Sequence, residues 1–198
     1  MMVLAVATMD KLRKKDWTVR PIDQQTCKRI ITTYHYAKAL SQISTERFGL
    51  FRMGQDFWEH SAHGCSVWLP PTPGILKRYQ GFKLSECLAL TRLAIAPEVP
   101  TNGASFLIGQ SIQQIRLRRP NVRLLVTYAD TMQGHTGAIY RATNWHYDGM
   151  TTPQPRWMDK DGKLVSVLSK NPRPRSWMDA RYKRTTAKPM HRFYMEIR

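Results

Sequence analysis

Asp130 and Arg92 are the charged residues whose positions point most clearly to chemistry. Asp130 follows a continuous apolar run, residues 122–128, which is typical of a buried strand, and the carboxyl ends of such strands often carry active sites. A carboxylate there can bind an amino group or remove its proton, or it can simply cap a turn. Arg92 lies in another apolar run, so it needs an anionic partner unless its guanidinium reaches the strand end, and Asp130 is the expected partner.

His35 and Tyr36 place an imidazole and a phenol side by side near the expected end of a helix. Imidazole can act as an acid or base near neutral pH and can bind iron or zinc, but no spacing identifies further ligands around His35. His60, His63 and Cys65 have side chains that suit zinc, yet structural zinc usually takes four ligands in paired short spacings, and a second such pair is missing from the sequence. The metal therefore stays undetermined, with His35 as a candidate ligand.

The sequence on either side of these residues shows patterns that are typical of strands and helices. Periodicity predicts strands over residues 17–22, 48–52, 64–69, 84–95 and 122–128. Helices are predicted from the N-cap Asp23 to about Tyr34, over residues 103–118, and from Thr136 to about Trp145, with Gly149 as a closing turn.

Strict alternation along residues 84–95 predicts that Arg92 shares one strand face with Leu88, Leu90 and Ala94. Tyr140 falls on the helix that follows the Asp130 strand. It is either an acid at the site or a core tyrosine with a satisfied hydroxyl.

The order strand, loop, helix, strand, helix resembles the acyl-CoA acyltransferase (GNAT) core. We therefore expect a single-domain α/β fold with a central mixed, mostly antiparallel sheet flanked by helices. In that core the loop before the helix cradles a pyrophosphate, and here the corresponding cofactor-binding residues are Asn102, Gly103, Ala104 and Ser105. Residues 97–105 lack the glycine-rich signature Q/R-x-x-G-x-G/A, which counts against CoA, and Ser105 can equally be a helix cap.

The charge of the chain indicates a polyanionic partner. Lys and Arg number 31 against 14 Asp and Glu, a formal net charge of +17, so nucleic acid is the leading partner and an anionic membrane or acidic protein the alternative. No apolar run approaches the roughly 20 residues of a membrane span. The apolar residues 3–7 are too few for a secretory signal, and three scattered cysteines do not suggest a disulfide framework, so we expect the cytoplasm.

Residues 156–198 are the most basic part of the chain, with 12 Lys or Arg against 4 acidic residues. Interleaved aromatic residues such as Trp157 and Trp177 suit base stacking beside phosphate contacts, or equally the anchoring of an irregular tail. We expect residues 1–155 to form the catalytic core and 156–198 a basic extension packed on it within the same domain. The expected DNA contacts are Arg156, Lys170, Arg173, Arg175, Arg181, Lys183 and Arg184.

Several motifs resemble the phage Mom family: LTRL at 90–93, NGAS at 102–105, YAD at 128–130, GHTGAIYRA at 134–142, and NW at 144–145. Members of that family convert adenine in DNA to N6-carbamoylmethyladenine, which shields phage DNA from restriction. The resemblance implies double-stranded DNA as substrate, host cytoplasm as location, and an adenine that leaves the duplex. It implies functional roles for His35, Tyr36, Arg92, Ser105, Asp130 and Tyr140, with Tyr140 where related acyltransferases protonate a leaving group.

The product that the resemblance implies limits which molecule can donate the carbamoylmethyl group. Attack by the adenine nitrogen on acetyl-CoA gives an N-acetyl group, whereas the family's product joins nitrogen to a methylene carbon. The donor is therefore a glycine-derived group, or acetyl-CoA followed by a rearrangement or a metal-assisted redox step, for which iron is one option. Two other classes stay open: an N-acyltransferase acting on an amine of RNA or protein, and a DNA-binding protein without catalysis.

Overall fold

The computed structural model describes residues 10–38, 40, 45–54, 61–153, 155–162, 164–165 and 173–197. The strands are β1 (Trp17–Pro21), β2 (Glu46–Arg52), β3 (Gly64–Leu69), β4 (Cys87–Ile95), β5 (Leu124–Ala129), β6 (His146–Met150), β7 (Pro155–Met158), β8 (Leu164–Val165), β9 (Lys183–Thr186) and β10 (His191–Glu196). The α-helices are α1 (Gln24–Tyr34), α2 (Gly103–Arg118), α3 (Ala138–Arg141) and α4 (Arg175–Asp179), and short 3-10 turns include Pro73–Lys77 and Thr131–Gln133.

Seven strands form the main sheet in the order β1-β2-β3-β4-β5-β10-β6, and β8-β7-β9 form a smaller sheet. Within the described strands of the main sheet, β4 and β5 run parallel and every other neighbouring pair is antiparallel. The apolar face of α2 covers one side of the sheet, and α1 and the Pro73–Lys77 turn cover the other. The predicted α/β class with a mixed, mostly antiparallel sheet is confirmed.

The N-terminal half follows the local sequence signals closely. Asp23 caps α1, because its carboxylate accepts a hydrogen bond from Thr26 N at 2.6 Å. The helix then buries Cys27, Ile30 and Ile31 and ends at Tyr34, which leaves His35 as its extended C-cap residue. Helix α2 has the predicted bounds and ends two residues before Pro120.

A bulge in β4 overturns the predicted alternation of faces. Val67 of β3 pairs with Arg92, but the next residue, Trp68, pairs with Leu90, so no residue of β3 stands opposite Thr91 in the register. Leu88 and Leu90 before the bulge therefore pack in the α2 cluster together with Leu93 and Ile95 after it, while Ala94 packs in the α1 cluster. The predicted face shared by Leu88, Leu90, Arg92 and Ala94 was wrong.

The segment after β5 is also shorter and tighter than predicted. Helix α3 spans four residues, Ala138–Arg141, and its N-cap is Gly137 rather than Thr136. Asn144 adopts a positive φ of 63°, which is consistent with the helix ending well before Trp145. Gly149 lies within β6 with a φ of 74° rather than in a closing turn.

The C-terminal basic segment is partly built into the main sheet. Strand β10 pairs with β5 from His191↔Ala129 to Glu196↔Leu124 and with β6 on its other side. Phe193 of this strand is fully buried in the main core. The small sheet precedes β10, and the division between residues 155 and 156 stays a prediction. No helix in the described part of the chain is long and apolar enough to cross a membrane.

Asp148 on β6 is the centre of an ionic network that joins three parts of the chain. Its carboxylate accepts hydrogen bonds from Arg78, Tyr79 and Arg192, the last at 2.7 Å from Nε. The side chains of Asp148 and Arg192 are 16% and 13% exposed. The hydrogen bond from Arg78, with those from Tyr79 and Arg192, holds the pKa of Asp148 far below its usual range.

Asp148→Asn should lower the free energy of unfolding at pH 7 by about 3 kcal/mol, because it leaves the largely buried Arg192 without its counter-charge. The loss should shrink as the pH falls below about 4, where the unfolded chain's carboxylates become protonated and the low native pKa of Asp148 stops adding stability. Urea unfolding at several pH values measures both effects. Asp161→Asn, at an exposed turn, is the control, and an equal small loss in both variants would contradict the network's role.

Candidate active site

The candidate site lies where β4 and β5 separate. The two strands pair from Cys87↔Leu124 to Leu90↔Thr127, and the hydroxyl of Thr127 donates to Leu90 O at 3.1 Å. Beyond this pair the strands enclose a cavity of about 430 Å³. The residues that line it are His35, Tyr36, 90–93, Tyr128, Ala129 and 134–140.

Asp130 stands directly after β5 at the edge of this cavity and makes two side-chain contacts. Its Oδ1 accepts a hydrogen bond from Met132 N at 2.9 Å, and its Oδ2 accepts one from the Tyr36 hydroxyl at 3.3 Å. Asp130 therefore caps a turn and also contacts a cavity residue 94 positions earlier in the chain. The carboxylate is held in place by one oxygen, while the other lies at the candidate site.

His35 is only 8% exposed and stacks on Tyr36 with ring centroids 4.4 Å apart. Its Nδ1 is 3.0 Å from Ala37 N, whose N–H it accepts, so the neutral ring carries its proton on Nε2. Burial lowers the pKa of His35 to about 4, and the nearby charges of Arg92, His135 and Lys38 act in the same direction. At neutral pH, His35 is thus an uncharged hydrogen-bond donor.

Of the three tyrosines that line the cavity, Tyr36 and Tyr140 keep their protons for the following reasons. Burial and then the charge of Asp130 raise the pKa of Tyr36. Burial also raises the pKa of Tyr140, against a smaller opposite effect of its side-chain hydrogen bond with Thr127. Tyr140 packs against Phe193 and Trp145 and also lines the cavity, so it is both a core tyrosine and a candidate acid.

Arg92 lines the cavity on the side of α1. Its Nη1 donates to Thr91 O at 2.7 Å, and its positive charge is felt by His35 and Tyr36. The bulge at Thr91 produces this placement, because it gives Arg92 the side of the sheet on which α1 ends. The ion pair with Asp130 stays a prediction.

Comparison with known proteins shows the family to which the chain belongs. A model of the Mom protein family matches residues 16–196. The chain belongs to the Mom protein family. It is 26% identical over 164 residues to the methylcarbamoylase Mom of Escherichia phage Mu, an alignment that covers 79% of this chain and 63% of that protein. The chain therefore matches less than two thirds of that relative's length.

Solved structures with the same fold are acetyltransferases. An acetyltransferase of Bacillus subtilis, solved in complex with CoA, has a TM-score of 0.53 at 8% identity, covering 92% of this chain and 98% of that chain. The IAA acetyltransferase of Bacillus cereus has a TM-score of 0.52 at 11% identity, covering 91% of this chain and 99% of that chain. At such identities the similarity shows a shared GNAT fold alone.

The residues predicted to bind the cofactor or group donor, Asn102 to Ser105, lie at the N-terminus of α2, after the end of β4. Asn102 is the N-cap residue with a positive φ of 73°, and Ser105 Oγ donates to Asn102 O at 2.9 Å. Gly103 and Ala104 form the first turn of the helix. The described residues that line the 430 Å³ cavity do not include these four, so their assignment to a donor stays a prediction.

The ring nitrogens of His35 and the side chains near it do not fit a metal-binding site. Its Nδ1 is already an acceptor for Ala37 N–H, and its Nε2 carries the proton. Within the described residues, no three His, Cys, Asp or Glu side chains converge on one point. Of the zinc-type cluster, His63 binds Glu98 at 3.0 Å and Cys65 Sγ lies 3.7 Å from Cys27 Sγ, while His60 falls outside the described residues. The iron suggested from the sequence is not supported.

Two residues were not among the predicted site residues: His135, which lines the cavity, and Thr127, which lies at the last β4–β5 pair before it. His135 stands beside Tyr36, with ring centroids 5.8 Å apart, and Thr127 connects Tyr140 to the backbone of β4. The signal for Thr127 was available, because it is a polar residue inside the apolar run 122–128. Thr127 is buried where β4 and β5 separate, and its hydroxyl forms hydrogen bonds there with Leu90 O and with Tyr140.

The predicted DNA contacts are mostly on the small sheet and around α4. Arg173, Arg175, Arg181, Lys183 and Arg184 are exposed, Arg156 is half-buried, and Lys170 falls outside the described residues. Arg173 and Arg181 both lie against the ring of Trp177, at 5.2 and 4.3 Å from its centroid. The ring of Trp177 therefore packs beneath two cations that stay exposed to solvent.

Gly137 and Gly134 offer a matched test of how Tyr140 is positioned. Both have a positive φ, 77° and 72°, but a Cβ on Gly137 would overlap the Phe193 ring, whereas no described atom lies within 4 Å of one on Gly134. Gly134→Ala should cost about 1 kcal/mol for its backbone alone, and Gly137→Ala about 1–3 kcal/mol more. Urea unfolding measures the difference, and equal costs would show that the contact with Phe193 does not constrain α3.

Proposed function

We propose that this protein modifies adenine in double-stranded DNA to N6-carbamoylmethyladenine and so protects phage DNA from restriction in the host cytoplasm. The observation that carries the proposal is the cavity at the β4–β5 divergence, where Asp130, Tyr36, His35 and Tyr140 come together. Family membership and the name methylcarbamoylase of the phage Mu relative support it. The cavity volume is within the roughly 300–1,000 Å³ of typical ligand pockets.

Asp130 is the proton acceptor that the arrangement favours. His35 accepts from Ala37 at Nδ1 and holds a proton at Nε2, and Tyr36 and Tyr140 are protonated. These three side chains can donate hydrogen bonds to the ring nitrogens of an adenine or protonate a departing group. A carboxylate supplies the missing base at the adenine amino group.

The proposed step forms a bond between N6 and a methylene carbon that bears the amide. The N6–H bond breaks, its proton passes to Asp130, and the leaving group departs from the methylene carbon with the bonding electrons. Tyr140 is placed to protonate that leaving group. A glycine-derived donor that carries its leaving group on the methylene carbon supplies the N–CH₂ connection directly. CoA is bound in an acetyltransferase of the same fold, but an acyl-CoA carries its leaving group on the carbonyl carbon and would reach this product only through a further rearrangement.

The alternative function with support from the fold is N-acyl transfer to an amine of RNA or protein. The acetyltransferase neighbours favour it, whereas the missing glycine-rich loop before α2 counts against it. A DNA-binding protein without catalysis is the remaining alternative. The three functions differ in whether deoxyadenosine in cellular DNA changes its mass.

Cells that express the protein should yield plasmid DNA in which part of the deoxyadenosine carries a carbamoylmethyl group, as measured by mass spectrometry of its nucleosides. Asp130→Asn keeps one oxygen that can still accept from Met132 N, places an amide NH₂ group beside the Tyr36 hydroxyl and removes the base, so the modified fraction should fall by about 10²–10⁴-fold. Asp161→Asn, an exposed turn variant, should match the wild type. The absence of any modified deoxyadenosine from the wild-type sample would refute the proposed function.

We also propose that duplex DNA contacts the small sheet. Strand β9 leads through residues 187–190 into β10, which begins opposite Ala129, so the small sheet joins the main sheet at the edge that carries Asp130. Thr131 Oγ1 donates to Pro189 O at 2.6 Å, which ties this connection to the turn after Asp130. Exposed cations on β9 and α4 are thus at the same edge as the cavity.

DNA affinity should fall steeply with salt, and Lys183→Gln with Arg184→Gln should reduce the slope of log K against log salt by up to about 1.8, or about 0.9 for each phosphate that is no longer neutralised. The matched control is Lys83→Gln with Arg116→Gln, two exposed cations away from the strand end that carries Asp130: Lys83 lies just before the start of β4, and Arg116 lies near the end of α2. Fluorescence anisotropy with a duplex measures both slopes. Equal slopes for the two double variants would place the DNA-binding surface elsewhere.

A further inference from the structure

Met132 is a large apolar side chain that is 51% exposed beside the candidate site of a protein with a net charge of +17. It lies in the 3-10 turn Thr131–Gln133, two residues after Asp130. Its side chain lies outside the walls of the cavity, which are formed on this side by residues 134–140. Met132 is therefore at the rim, where a duplex that delivers a base to the cavity has to lie.

The backbone around Met132 is held firmly. Met132 N donates to Asp130 Oδ1 at 2.9 Å, and Gln133 N donates to Asp130 O at 3.1 Å. Thr131 Oγ1 is bonded to Pro189 O, so the turn is fixed to both β5 and the connection before β10. An exposed side chain on such a turn keeps a defined position relative to the carboxylate.

A duplex loses stacking when one base leaves it, and proteins that act this way often fill the gap with an apolar side chain such as methionine. We propose that Met132 is the wedge that enters the base stack when the target base moves into the cavity. The inference rests on the proposed function and specifies how the duplex meets the site. Exposed Lys188, next to Pro189, and Lys38, after the His35–Tyr36 pair, supply positive charge for the phosphates on either side.

Tyr36 is exposed at the same rim but is suited to a different task. Its hydroxyl is bonded to Asp130, its ring stacks on His35, and it lines the cavity, so it faces the displaced base. Met132 is joined to Asp130 through its backbone alone in these contacts, which leaves its thioether side chain able to enter a stack.

Permanganate oxidation of thymine tests the wedge without knowledge of the target sequence, because a displaced adenine leaves its partner thymine unstacked. Plasmid DNA saturated with the full-length protein is treated with permanganate, and reactive thymines are mapped by sequencing. Met132→Ala should reduce the protein-induced reactivity and the modified deoxyadenosine formed in cells by about tenfold or more, which corresponds to about 1.4 kcal/mol. Met132→Leu, which keeps an apolar wedge, should retain most of both signals.

Leu117→Ala is the matched control, because Leu117 is 79% exposed near the end of α2, at the opposite edge of the sheet. It should behave as the wild type, and duplex affinity by anisotropy should change little in any of the three variants. Wild-type reactivity and modification in Met132→Ala would overturn the wedge and leave the proposed function standing. If wild-type cells contain no modified deoxyadenosine, the proposed function fails, and the wedge is then judged from the thymine reactivity alone. A loss of reactivity in Met132→Ala supports the wedge. Reactivity that is unchanged in Met132→Ala, or absent from the wild type, overturns it.

Discussion

The separation of β4 from β5 after the Leu90↔Thr127 pair is the constraint on which the candidate site depends. A bulge at Thr91 changes the direction of β4, and the Thr127 hydroxyl satisfies the last carbonyl of β4 before the gap. The opening gives the cavity its walls, and the same bulge directs Arg92 to the side of α1 where His35 and Tyr36 lie. The bulge at Thr91 thus contributes both to the cavity and to the position of the Arg92 charge beside it.

Protonation at the site follows from burial in a strongly basic protein. His35 is enclosed, and its interactions with Arg92, His135 and Lys38 also oppose a charged ring. Burial keeps Tyr36 and Tyr140 as phenols. The site therefore combines three neutral donors with one carboxylate, a set that suits deprotonation of a weakly nucleophilic amine better than metal binding.

The C-terminal segment combines two tasks that sequence composition does not distinguish. Its last strand, β10, completes the main sheet, buries Phe193 under Gly137 and holds the Asp148 network through Arg192. The preceding small sheet and α4 carry exposed cations, two of which lie over the ring of Trp177, before the chain enters β10 opposite Ala129. The removal of this segment would therefore disrupt the fold as well as the proposed DNA surface.

Local patterns in the sequence determined most of the elements: the Asp23 cap, both long helices and the strands through β5 follow from residue type and spacing, which act over a few neighbours. They also placed Asp130 at a strand end and His35 at a helix end. Only the tertiary structure decided that Tyr36 contacts Asp130 across 94 residues, that β4 bulges at Thr91, and that the basic C-terminal segment supplies β10, which lies between β5 and β6 in the main sheet. Those features depend on strand pairing between distant segments, whose register is set by packing against the whole sheet rather than by any local period.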